Sequence, residues 1–561
     1  MKDSSEFAAR ELFDVFSICG VSDVVISPGS RNAALVIAAE AREGLKKHIV
    51  ADERTASFIA LGMAIASQKP VVLVCTSGSA LYNYAPAVAE SYYRHIPLIV
   101  LSADRPWQWV DENDSQTLRQ YEALQHIVKK SYDIPASDSM TNKSQSERFE
   151  TEFEWYVNRV ANDAFITATT AMKGPVHINV QFKVPFNGTV EFSKKTPRII
   201  DNILYDTALP RNAALEIAGY LADKRILVVA SNMLSDHKLN DRLREFVKFE
   251  NVVLIAEPVS NLHLDPYSYY LPFVLNALTT SGNGTLNPEI VIAIGHNVIS
   301  AELKSFIRNS PCEVWTLNDT DPVSDCFMHL SRHYDVSPAR FFGSVASAMR
   351  GRLKKQPECH VPDYKKIWRE ALPAKTEFVP QPAWNADNVY YKIFNSIPES
   401  CNLFISNGMS IRYADKYLYR IPHNCWANRG VSGIEGTNAT AFGASLKYSG
   451  LTILITGDNS FAYCPEILNM KHMGGNLRII LISNCGGDIF RNIETTRNLD
   501  IREHSFCADQ KLPVSELTRS YGWNYVCADS PDSLDDSLKV LLRKPYTLLE
   551  VKLYNNSAEK S

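Results

Sequence analysis

TILITGDNS (residues 452–460) is an apolar run of strand length that ends in a polar turn, and IILISNCG (residues 479–486) repeats this arrangement after enough residues for one helix. Runs of this kind, bounded by Gly and small polar residues, are typical of buried strands. Strands that are apolar throughout and separated by helices predict a parallel sheet covered on both faces. Ligands of such a sheet bind beyond the carboxyl ends of its strands, so we expect a site at the turns beginning at Gly457 and Asn484.

The same succession of apolar strand, short turn and amphipathic helix recurs in three blocks. The predicted strands are 24–26, 48–50, 71–75, 97–101 and 176–180, then 226–230, 252–255, 290–294 and 314–317, then 403–405, 452–456, 479–483 and 547–551. Helices are predicted at 6–17, 33–39, 55–67 and 85–93, and polar stretches with Pro at 186–209 and 356–387 predict linkers. The sequence therefore predicts an α/β protein of three domains (1–185, 186–375 and 376–561), each a mostly parallel sheet flanked by helices.

The composition is that of an ordinary globular protein, with 45% hydrophobic residues, 21% charged residues and a formal net charge of -4. Positive and negative residues are interspersed, so nothing in the charge pattern indicates binding to nucleic acid or an anionic membrane. The longest apolar runs are far below the ~20 residues of a membrane-spanning helix, and the charged start of the chain lacks the apolar segment of a signal peptide. None of the 11 cysteines forms a C-x-x-C pair, which favours reduced cysteines in a cytoplasmic protein.

Polar or Gly-rich residues follow seven of the predicted strands. These segments are 27–31, 52–54, 76–79, 102–105, 407–408, 457–458 and 484–486. In the last two, a carboxylate, a side-chain amide oxygen and a backbone carbonyl could take three places around Mg²⁺, and phosphate oxygens and water could fill the others. Gly would let the backbone approach a phosphate closely, and the following helix would present free N–H groups. A pair of tight turns without a ligand is the structural alternative.

This spaced pair resembles the signature of thiamine-diphosphate enzymes, G-D-G followed by N-N after one helix and one strand. The resemblance implies Asp458, Asn484 and the carbonyl of Gly486 as ligands of Mg²⁺, with Mn²⁺ as a possible substitute. Asn459 replaces the second Gly of the signature, and Ser483 replaces the first Asn.

Glu53 lies in Asp52-Glu53-Arg54, at the predicted end of a strand and just before a helix. Thiamine chemistry needs a carboxylic acid beside the aminopyrimidine ring, where it assists formation of the cofactor ylid. Enzymes of the superfamily carry a Glu at such a place in the first domain, so the resemblance implies that Glu53 has this role. A solvated acid at a helix N-terminus is the alternative.

A third set of motifs narrows the resemblance. The motifs are ISPGSRN (26–32), DER (52–54), CTSG (75–78), LSADRP (101–106), SQT (115–117), GPVHIN (174–179), SNGMSIR (406–412) and NRGVSGIEG (428–436). Together they resemble the 2-succinyl-5-enolpyruvyl-6-hydroxy-3-cyclohexene-1-carboxylate synthase (MenD) family of menaquinone biosynthesis. The resemblance covers the first and third domains nearly throughout, and the middle domain only in its pattern of strands.

The family's activity implies roles for individual residues. Those that would bind the cofactor are Glu53, Thr76, Asn407, Gly408, Met409, Ile434, Gly457, Asp458, Asn459, Ser460, Asn484, Gly486, Ile489 and Phe490. Those that would bind substrate are Ser30, Arg31, Arg105, Gln116, Arg412 and Arg429. Isochorismate and 2-oxoglutarate each carry two carboxylates, and Arg suits carboxylates because its planar fork can donate two hydrogen bonds to one of them. The resemblance thus implies decarboxylation of 2-oxoglutarate and conjugate addition of the remaining unit to isochorismate, with release of CO₂.

Four departures from the family pattern bear on the substrate site. Gly408 stands where a Ser is usual, Ser115 where an Asn often precedes Gln116, and Cys464 where an acid is common. In the middle domain, the segment 300–304 lacks the basic residue expected directly after its first position, which Lys304 could replace.

Other readings stay open at this point. Another thiamine enzyme, either a 2-oxoacid decarboxylase or an acetolactate-type synthase, would share the cofactor motifs. An intact Glu53 argues against a cofactor-binding or scaffold protein without chemistry, and the lack of G-x-G-x-x-G after the first strand argues against a nicotinamide oxidoreductase. Because Glu53 and the metal motif lie in different predicted domains, we expect a homodimer or a dimer of dimers.

Overall fold

The computed structural model describes residues 4–553 apart from 137–139, 141, 146–147, 171, 184–195, 204–208, 265–268, 281–283, 319–322, 356–361 and 373–382. It contains three six-stranded parallel sheets flanked by helices, one from each predicted block, which confirms the predicted fold class. The two predicted domain boundaries, at 185/186 and 375/376, lie outside the described residues and stay predictions, as do most of the first predicted linker and much of the second.

The first sheet has the strand order β2-β1-β3-β4-β6-β5. Its strands are β1 (Asp23–Ile26), β2 (Lys46–Ile49), β3 (Val71–Cys75), β4 (Leu98–Asp104), β5 (Ser131–Ile134) and β6 (Val176–Gln181). Its helices are α1 (Ser4–Ile18), α2 (Ala33–Glu40), α3 (Glu53–Ser67), α4 (Ala80–Asn83), α5 (Ala85–Tyr93) and α6 (Glu152–Thr169). The bounds agree with the predicted ones to within two residues except at β4, which continues to Asp104, and α3 already begins at Glu53.

The second sheet has the order β12-β11-β10-β7-β8-β9. Its strands are β7 (Ile226–Ala230), β8 (Val252–Ala256), β9 (Tyr269–Tyr270), β10 (Ile290–Ile294), β11 (Glu313–Leu317) and β12 (Leu330–Tyr334). Its helices are α7 (Arg211–Leu221), α8 (His237–Phe246), α9 (Leu271–Thr280), α10 (Ala301–Arg308), α11 (Pro338–Lys355) and α12 (Tyr364–Ala371). Helix α12 falls within the second predicted linker, but its Trp368 is buried in the apolar core of this sheet.

The third sheet, in the order β14-β13-β15-β16-β18-β17, repeats the strand order of the first. Its strands are β13 (Asn402–Ile405), β14 (Asn424–Trp426), β15 (Thr452–Gly457), β16 (Leu477–Ser483), β17 (Asn524–Ala528) and β18 (Thr547–Lys552). Its helices are α13 (Ala386–Ser396), α14 (Met409–Tyr417), α15 (Thr437–Ser445), α16 (Asp458–Ala462), α17 (Ile489–Asn492), α18 (Val514–Ser520) and α19 (Pro531–Arg543). A 3₁₀ helix spans Pro465–Met473, and a π-helical turn spans Glu503–Cys507.

The shared strand order of the first and third sheets has a consequence for ligand binding. In each, the chain leaves the first strand toward one edge and returns to build the sheet toward the other, so a crevice opens beyond the carboxyl ends of the first and third strands. In the first sheet, the segment after β1 carries Arg31 and the segment after β3 carries Thr76. In the third sheet, Asn407 follows β13 and Asp458 follows β15.

The described residues divide into two compact units by their contacts. The first comprises Met1–Leu204, Asn428–Ser449 and Tyr463–Leu477, and the second comprises Tyr205–Ala427, Gly450–Ala462 and Arg478–Ser561. Helix α15 therefore belongs to the unit of the first sheet, where it packs on α3. The contact is close because two glycines face it: a Cβ on Gly62 would lie 2.0 Å from the carbonyl oxygen of Thr440, and one on Gly443 would lie 2.0 Å from that of Ile59.

In the second unit, one apolar core includes strands of both the central and the third sheet. The two sheets are also joined by Asn261, whose side-chain oxygen accepts from Cys425 N at 2.6 Å and whose amide donates to Cys425 O at 3.0 Å. Over the described part of the chain, none of the helices combines the length and the apolarity needed to cross a membrane.

Candidate functional site

Asp458 joins the two turns that were singled out in the sequence. Its Oδ1 accepts from the N–H of Asn459 at 2.8 Å, and its Oδ2 accepts from the N–H groups of Asn484 at 3.1 Å and Gly486 at 2.9 Å. Burial raises the pKa of this carboxyl, and the three N–H donors oppose that effect. The carboxylate therefore holds the ends of β15 and β16 together while its remaining lone pairs can still take a ligand.

Two side-chain oxygens beside Asp458 are buried and accept no hydrogen bond within the described residues, namely Asn484 Oδ1 and Asn459 Oδ1. The carbonyl of Gly486 accepts from Asp488 N at 2.9 Å, which leaves one of its lone pairs for another partner. A carboxylate, an amide oxygen and a carbonyl are hard donors of the kind that Mg²⁺ takes, so these residues fit such an ion. Elsewhere among the described residues, no group of three His, Cys, Asp or Glu side chains could hold a metal.

Backbone geometry makes Gly486 necessary in this turn. Its φ is +102°, and a Cβ there would lie 2.1 Å from the carbonyl oxygen of Cys507. The preceding residue, Cys485, also has a positive φ, +60°, which is unusual for a residue with a side chain. The turn is thus in a conformation that its contacts must stabilise.

Both departures from the thiamine signature have partners in the structure. The amide of Asn459, in place of Gly, donates to the carbonyl of Cys507 at 2.9 Å. Ser483, in place of Asn, donates to the Glu550 carboxylate on β18 at 2.8 Å. Each replacement therefore ties one of the two turns to a neighbouring element and leaves Asp458, Asn484 and Gly486 in place.

Three further segments of the second unit carry predicted cofactor residues. Ser460 is buried in the first turn of α16, Ile489 and Phe490 open α17, and the Phe490 ring lies 5.7 Å from that of Phe506. After β13, Asn407 is buried and Gly408 has a φ of +99°, so that α14 begins at Met409.

Arg412, on α14, is the predicted substrate residue of the second unit. Its guanidinium donates to the carbonyl of Gly408 at 2.6 Å. Desolvation lowers its pKa, and the charges of Asp415 and Glu302 oppose this. Glu302 belongs to the segment that lacks the basic residue expected from the family.

Glu53 is half-buried at the first position of α3, and three contacts fix the start of this helix. Asp52 caps it by accepting from Thr55 N at 2.7 Å. Arg54 donates to the carbonyl of Tyr463 at 2.6 Å, and the Thr55 hydroxyl donates to Glu466 at 2.5 Å. Glu466 is thus an acid two residues after Cys464, the position at which the family pattern commonly has one.

The end of β3 lies close to Glu53. Burial raises the pKa of the Cys75 thiol, and the negative charge of Glu53 raises it further. Thr76, the next residue, has a buried hydroxyl without a hydrogen bond among the described residues. It lies against the loop after β1, since a Cβ on Gly29 would be 2.4 Å from Thr76 Cβ.

Arg31 and Arg105 lie near each other in the first unit, while Ser30 and Gln116 are exposed on loops. Arg31 is buried and donates to the carbonyls of Phe182 and Lys183 at 3.1 and 3.2 Å. Burial lowers its pKa, and the charge of Arg105 lowers it further. Arg105 forms an ion pair with Asp114. Two guanidinium groups at the carboxyl edge of one sheet are suited to an anionic ligand.

The loop that carries Arg429 and Ile434 also belongs to the first unit and leads into α15. Glu90 of α5 holds it by accepting from the N–H groups of Gly430 and Val431, both at 2.8 Å. Glu90 was not predicted from the sequence, although an acid on an otherwise apolar helix face is a signal of a buried partner.

The predicted residues therefore form two sets. The first unit holds Ser30, Arg31, Glu53, Thr76, Arg105, Gln116, Arg429 and Ile434, and the second holds Asn407, Gly408, Met409, Arg412, Gly457, Asp458, Asn459, Ser460, Asn484, Gly486, Ile489 and Phe490. Within each unit, the members cluster at the carboxyl edge of a parallel sheet or on loops beside it. Their individual roles stay predictions.

Comparison with known proteins relates this arrangement to characterised families. Residues 8–124 match the family of thiamine pyrophosphate enzymes at its N-terminal TPP binding domain. A Porphyromonas gingivalis protein named 2-succinyl-5-enolpyruvyl-6-hydroxy-3-cyclohexene-1-carboxylate synthase is 36% identical over 540 residues, which cover 94% of this chain and 90% of that protein. A protein of the same name from Cytophaga hutchinsonii is 35% identical, covering 93% and 91%.

A solved structure shows the same fold. It is that of a protein from Mycobacterium smegmatis assigned as a thiamin diphosphate-dependent enzyme. The superposition has a TM-score of 0.71 and covers 98% of this chain and 99% of the other, at 15% sequence identity.

Proposed function

The chain belongs to the 2-succinyl-5-enolpyruvyl-6-hydroxy-3-cyclohexene-1-carboxylate synthase family, and we propose that it decarboxylates 2-oxoglutarate and adds the remaining four-carbon unit to isochorismate. An identity of 36% over a stretch that covers 94% of this chain and 90% of the relative confirms the family that the motifs indicated. With the matched N-terminal domain, it also confirms thiamine diphosphate as the cofactor. The predicted family and enzyme class are therefore confirmed, whereas the metal, the named substrates and the assembly are proposals.

The observation that carries the proposal is the Asp458 carboxylate, which joins its own turn to the Asn484–Gly486 turn, beside an Asn484 Oδ1 that has no hydrogen-bond partner among the described residues. We propose that Asp458, Asn484 and the Gly486 carbonyl hold Mg²⁺, or Mn²⁺ in its place, together with the cofactor's diphosphate. When bound, thiamine diphosphate would supply a nucleophilic carbon and an electron sink for the decarboxylation.

Glu53 is proposed to exchange a proton with the aminopyrimidine of the cofactor. Its carboxylate stands at the start of α3, and the contacts made by Asp52, Arg54 and Thr55 fix its backbone. A general acid or base has to be held within hydrogen-bond reach of the atom it serves, and this rigid start of a helix provides such a support.

The arginines are proposed to bind the substrate carboxylates. Arg31 is held by two backbone carbonyls, and Arg105 is paired with Asp114, so both guanidinium groups are oriented before a ligand arrives. Such groups stabilise an anion without the cost of reorganising at the moment of reaction. Gly408 has no side chain that could contact the substrate, whereas the family usually has a Ser at this position. We therefore expect Arg412, whose guanidinium donates to the Gly408 carbonyl, to be the polar side chain that binds the substrate there.

The proposed activity is tested by incubating purified protein with thiamine diphosphate, Mg²⁺, 2-oxoglutarate and isochorismate, and by following isochorismate and CO₂. We expect both substrates to be consumed in equal amounts. Pyruvate in place of 2-oxoglutarate separates this activity from an acetolactate-type synthase, and Glu53→Gln separates it from binding without chemistry. Turnover of pyruvate alone, or no loss of isochorismate while an active synthase consumes it, would contradict the proposal.

We further propose a homodimer, or a dimer of dimers, in which one chain supplies Glu53 and the other supplies Asp458. Co-expression of inactive Glu53→Gln and Asp458→Asn chains tests this. Random pairing would place half of the chains in mixed dimers with one intact site each, so about one quarter of the wild-type activity should return. No recovery in a preparation that contains mixed dimers would show that each site uses a single chain.

A further inference from the structure

Arg491 contacts the turn that carries the proposed metal ligands. Its Nη1 donates to the carbonyl of Asn484 at 2.9 Å, and its Nη2 donates to the carbonyl of Cys485 at 2.9 Å. These carbonyls belong to the two residues immediately before Gly486. One planar guanidinium therefore holds two successive peptide groups of the turn at once.

Glu503 fixes the guanidinium in turn. Its Oε2 accepts from Arg491 Nη2 at 2.7 Å, and Arg491 Nε lies 3.1 and 3.2 Å from the two carboxylate oxygens. Arg502 donates to the same carboxylate at 2.8 Å. A bidentate pair of this kind is more directional than a single ionic contact, and it leaves the other guanidinium edge pointing at the turn.

The π-helical turn Glu503–Cys507 makes a second connection to the same region. At its end, the carbonyl of Cys507 accepts from Gly487 N at 2.5 Å and from the Asn459 amide at 2.9 Å. The segment that carries Glu503 therefore contacts both metal-binding turns, one through Arg491 and the other through Asn459.

We propose that Arg491 and Glu503 are positioning residues that hold the Asn484–Gly486 turn in its metal- and diphosphate-binding conformation. The turn needs external contacts because Cys485 has a left-handed backbone conformation that is unfavourable for a residue with a side chain. The inference rests on the proposed role of Asp458, Asn484 and Gly486. The ligands themselves remain present when either positioning residue is changed, so the effect is on affinity.

The pair is not a general stabiliser of the fold. Slightly more than half of the Glu503 side chain is exposed (53%), and exposed ion pairs add little to the free energy of unfolding. If the pair stabilised the fold as a whole, its removal would lower the Tm of the protein without cofactor. The proposed role predicts that this Tm stays nearly unchanged.

The test uses the full-length protein with Arg491→Lys, Glu503→Gln and the double variant, and Arg497→Lys as the matched control on an exposed Arg of the same segment. Calorimetry measures the Kd of Mg²⁺ in the presence of thiamine diphosphate, and a thermal melt gives the Tm of the protein without cofactor. We expect each single variant to raise the Kd on the order of ten-fold, as for other residues that support metal ligands. The Kd of the double variant should be no higher than that of Arg491→Lys, because the two residues act as one unit.

The Tm of the cofactor-free variants should stay within about 2 °C of the wild type. A Kd unchanged in both single variants would overturn the inference. So would a raised Kd accompanied by a fall in the cofactor-free Tm of more than about 2 °C. No substrate is present, so a failure of the proposed reaction leaves this result intact. A wild-type protein that binds no Mg²⁺ with thiamine diphosphate would overturn the proposed site itself, and this inference with it.

Discussion

Glu90 holds Gly430 by a 2.8 Å hydrogen bond from the glycine N–H to its carboxylate, although the two residues are 340 positions apart in the chain. Only 1% of Glu90 is exposed. Burial raises its pKa, while the charges of Arg94 and Arg429 and the two backbone donors oppose this. The loop with Arg429 and Ile434 is therefore anchored on a buried carboxylate.

Glu90→Gln should destabilise the protein and weaken substrate binding. A Gln side chain offers one acceptor oxygen to two N–H groups, and the positive charges nearby lose their buried counter-charge. We expect a loss of roughly 3–5 kcal/mol in the free energy of unfolding, measured with urea, and a higher KM. Glu43→Gln, at an exposed Glu, is the control and should change the free energy by less than about 0.5 kcal/mol. Equal stabilities of the two variants would show that Glu90 has no anchoring role.

The packing of α3 on α15 predicts a second effect. Gly62→Ala or Gly443→Ala places a methyl group 2.0 Å from a backbone carbonyl, so the helices must separate. We expect a loss of at least roughly 2–3 kcal/mol in the free energy of unfolding, with lower activity because α3 begins at Glu53. Gly351→Ala is the control, since a Cβ there meets no atom within 4 Å in the middle of α11. That change should leave the protein equally stable or slightly more stable.

The interior strands of each sheet could be predicted from the sequence, whereas five of the six edge strands could not; the exception is β2. Five strands had no counterpart in the prediction, and each of them lies at the edge of a sheet: β5, β9, β12, β14 and β17. A strand with neighbours on both sides is buried on both faces and apolar throughout. An edge strand such as β12 is partly exposed and carries Arg332 and His333, so it has no continuous apolar run.

The candidate site was also predicted only in part from the sequence. The rule that ligands bind beyond the carboxyl ends of parallel strands led to Asp458 and Asn484, which the structure brings together. The residues that hold the predicted segments were not predicted, because none of them has a motif of its own. Glu90 and Glu466 lie far along the chain from the segments they hold, whereas Arg491 lies close in sequence to the turn that it contacts. The contact made by Asn459 could not be predicted from the sequence either, because its hydrogen-bond partner is the backbone carbonyl of Cys507.

Asp104 predicts a pH dependence of stability. It lies at the end of β4 with only 4% exposed, accepting from the Asn179 amide at 2.9 Å and from Arg105 N at 2.7 Å. Burial raises its pKa to about 6, Asp133 adds to this, and the two hydrogen bonds and the charge of Arg31 oppose it. His177 lies in the same polar network, and burial lowers its pKa to about 3.

Because the folded protein keeps the Asp104 proton up to a pH near 6 and the unfolded chain loses it near 4, the contribution of this group is fully present at low pH. It is lost as the pH rises through about 6, which costs roughly 2–3 kcal/mol. Asp104→Asn removes this dependence and leaves His177 unchanged, so the variant should gain that amount relative to the wild type between about pH 4 and 7. Urea unfolding at several pH values measures the difference, with Asp223→Asn, at an exposed Asp, as the control. A difference between Asp104→Asn and the wild type that stays constant with pH would mean that Asp104 is ionised in the folded protein throughout this range.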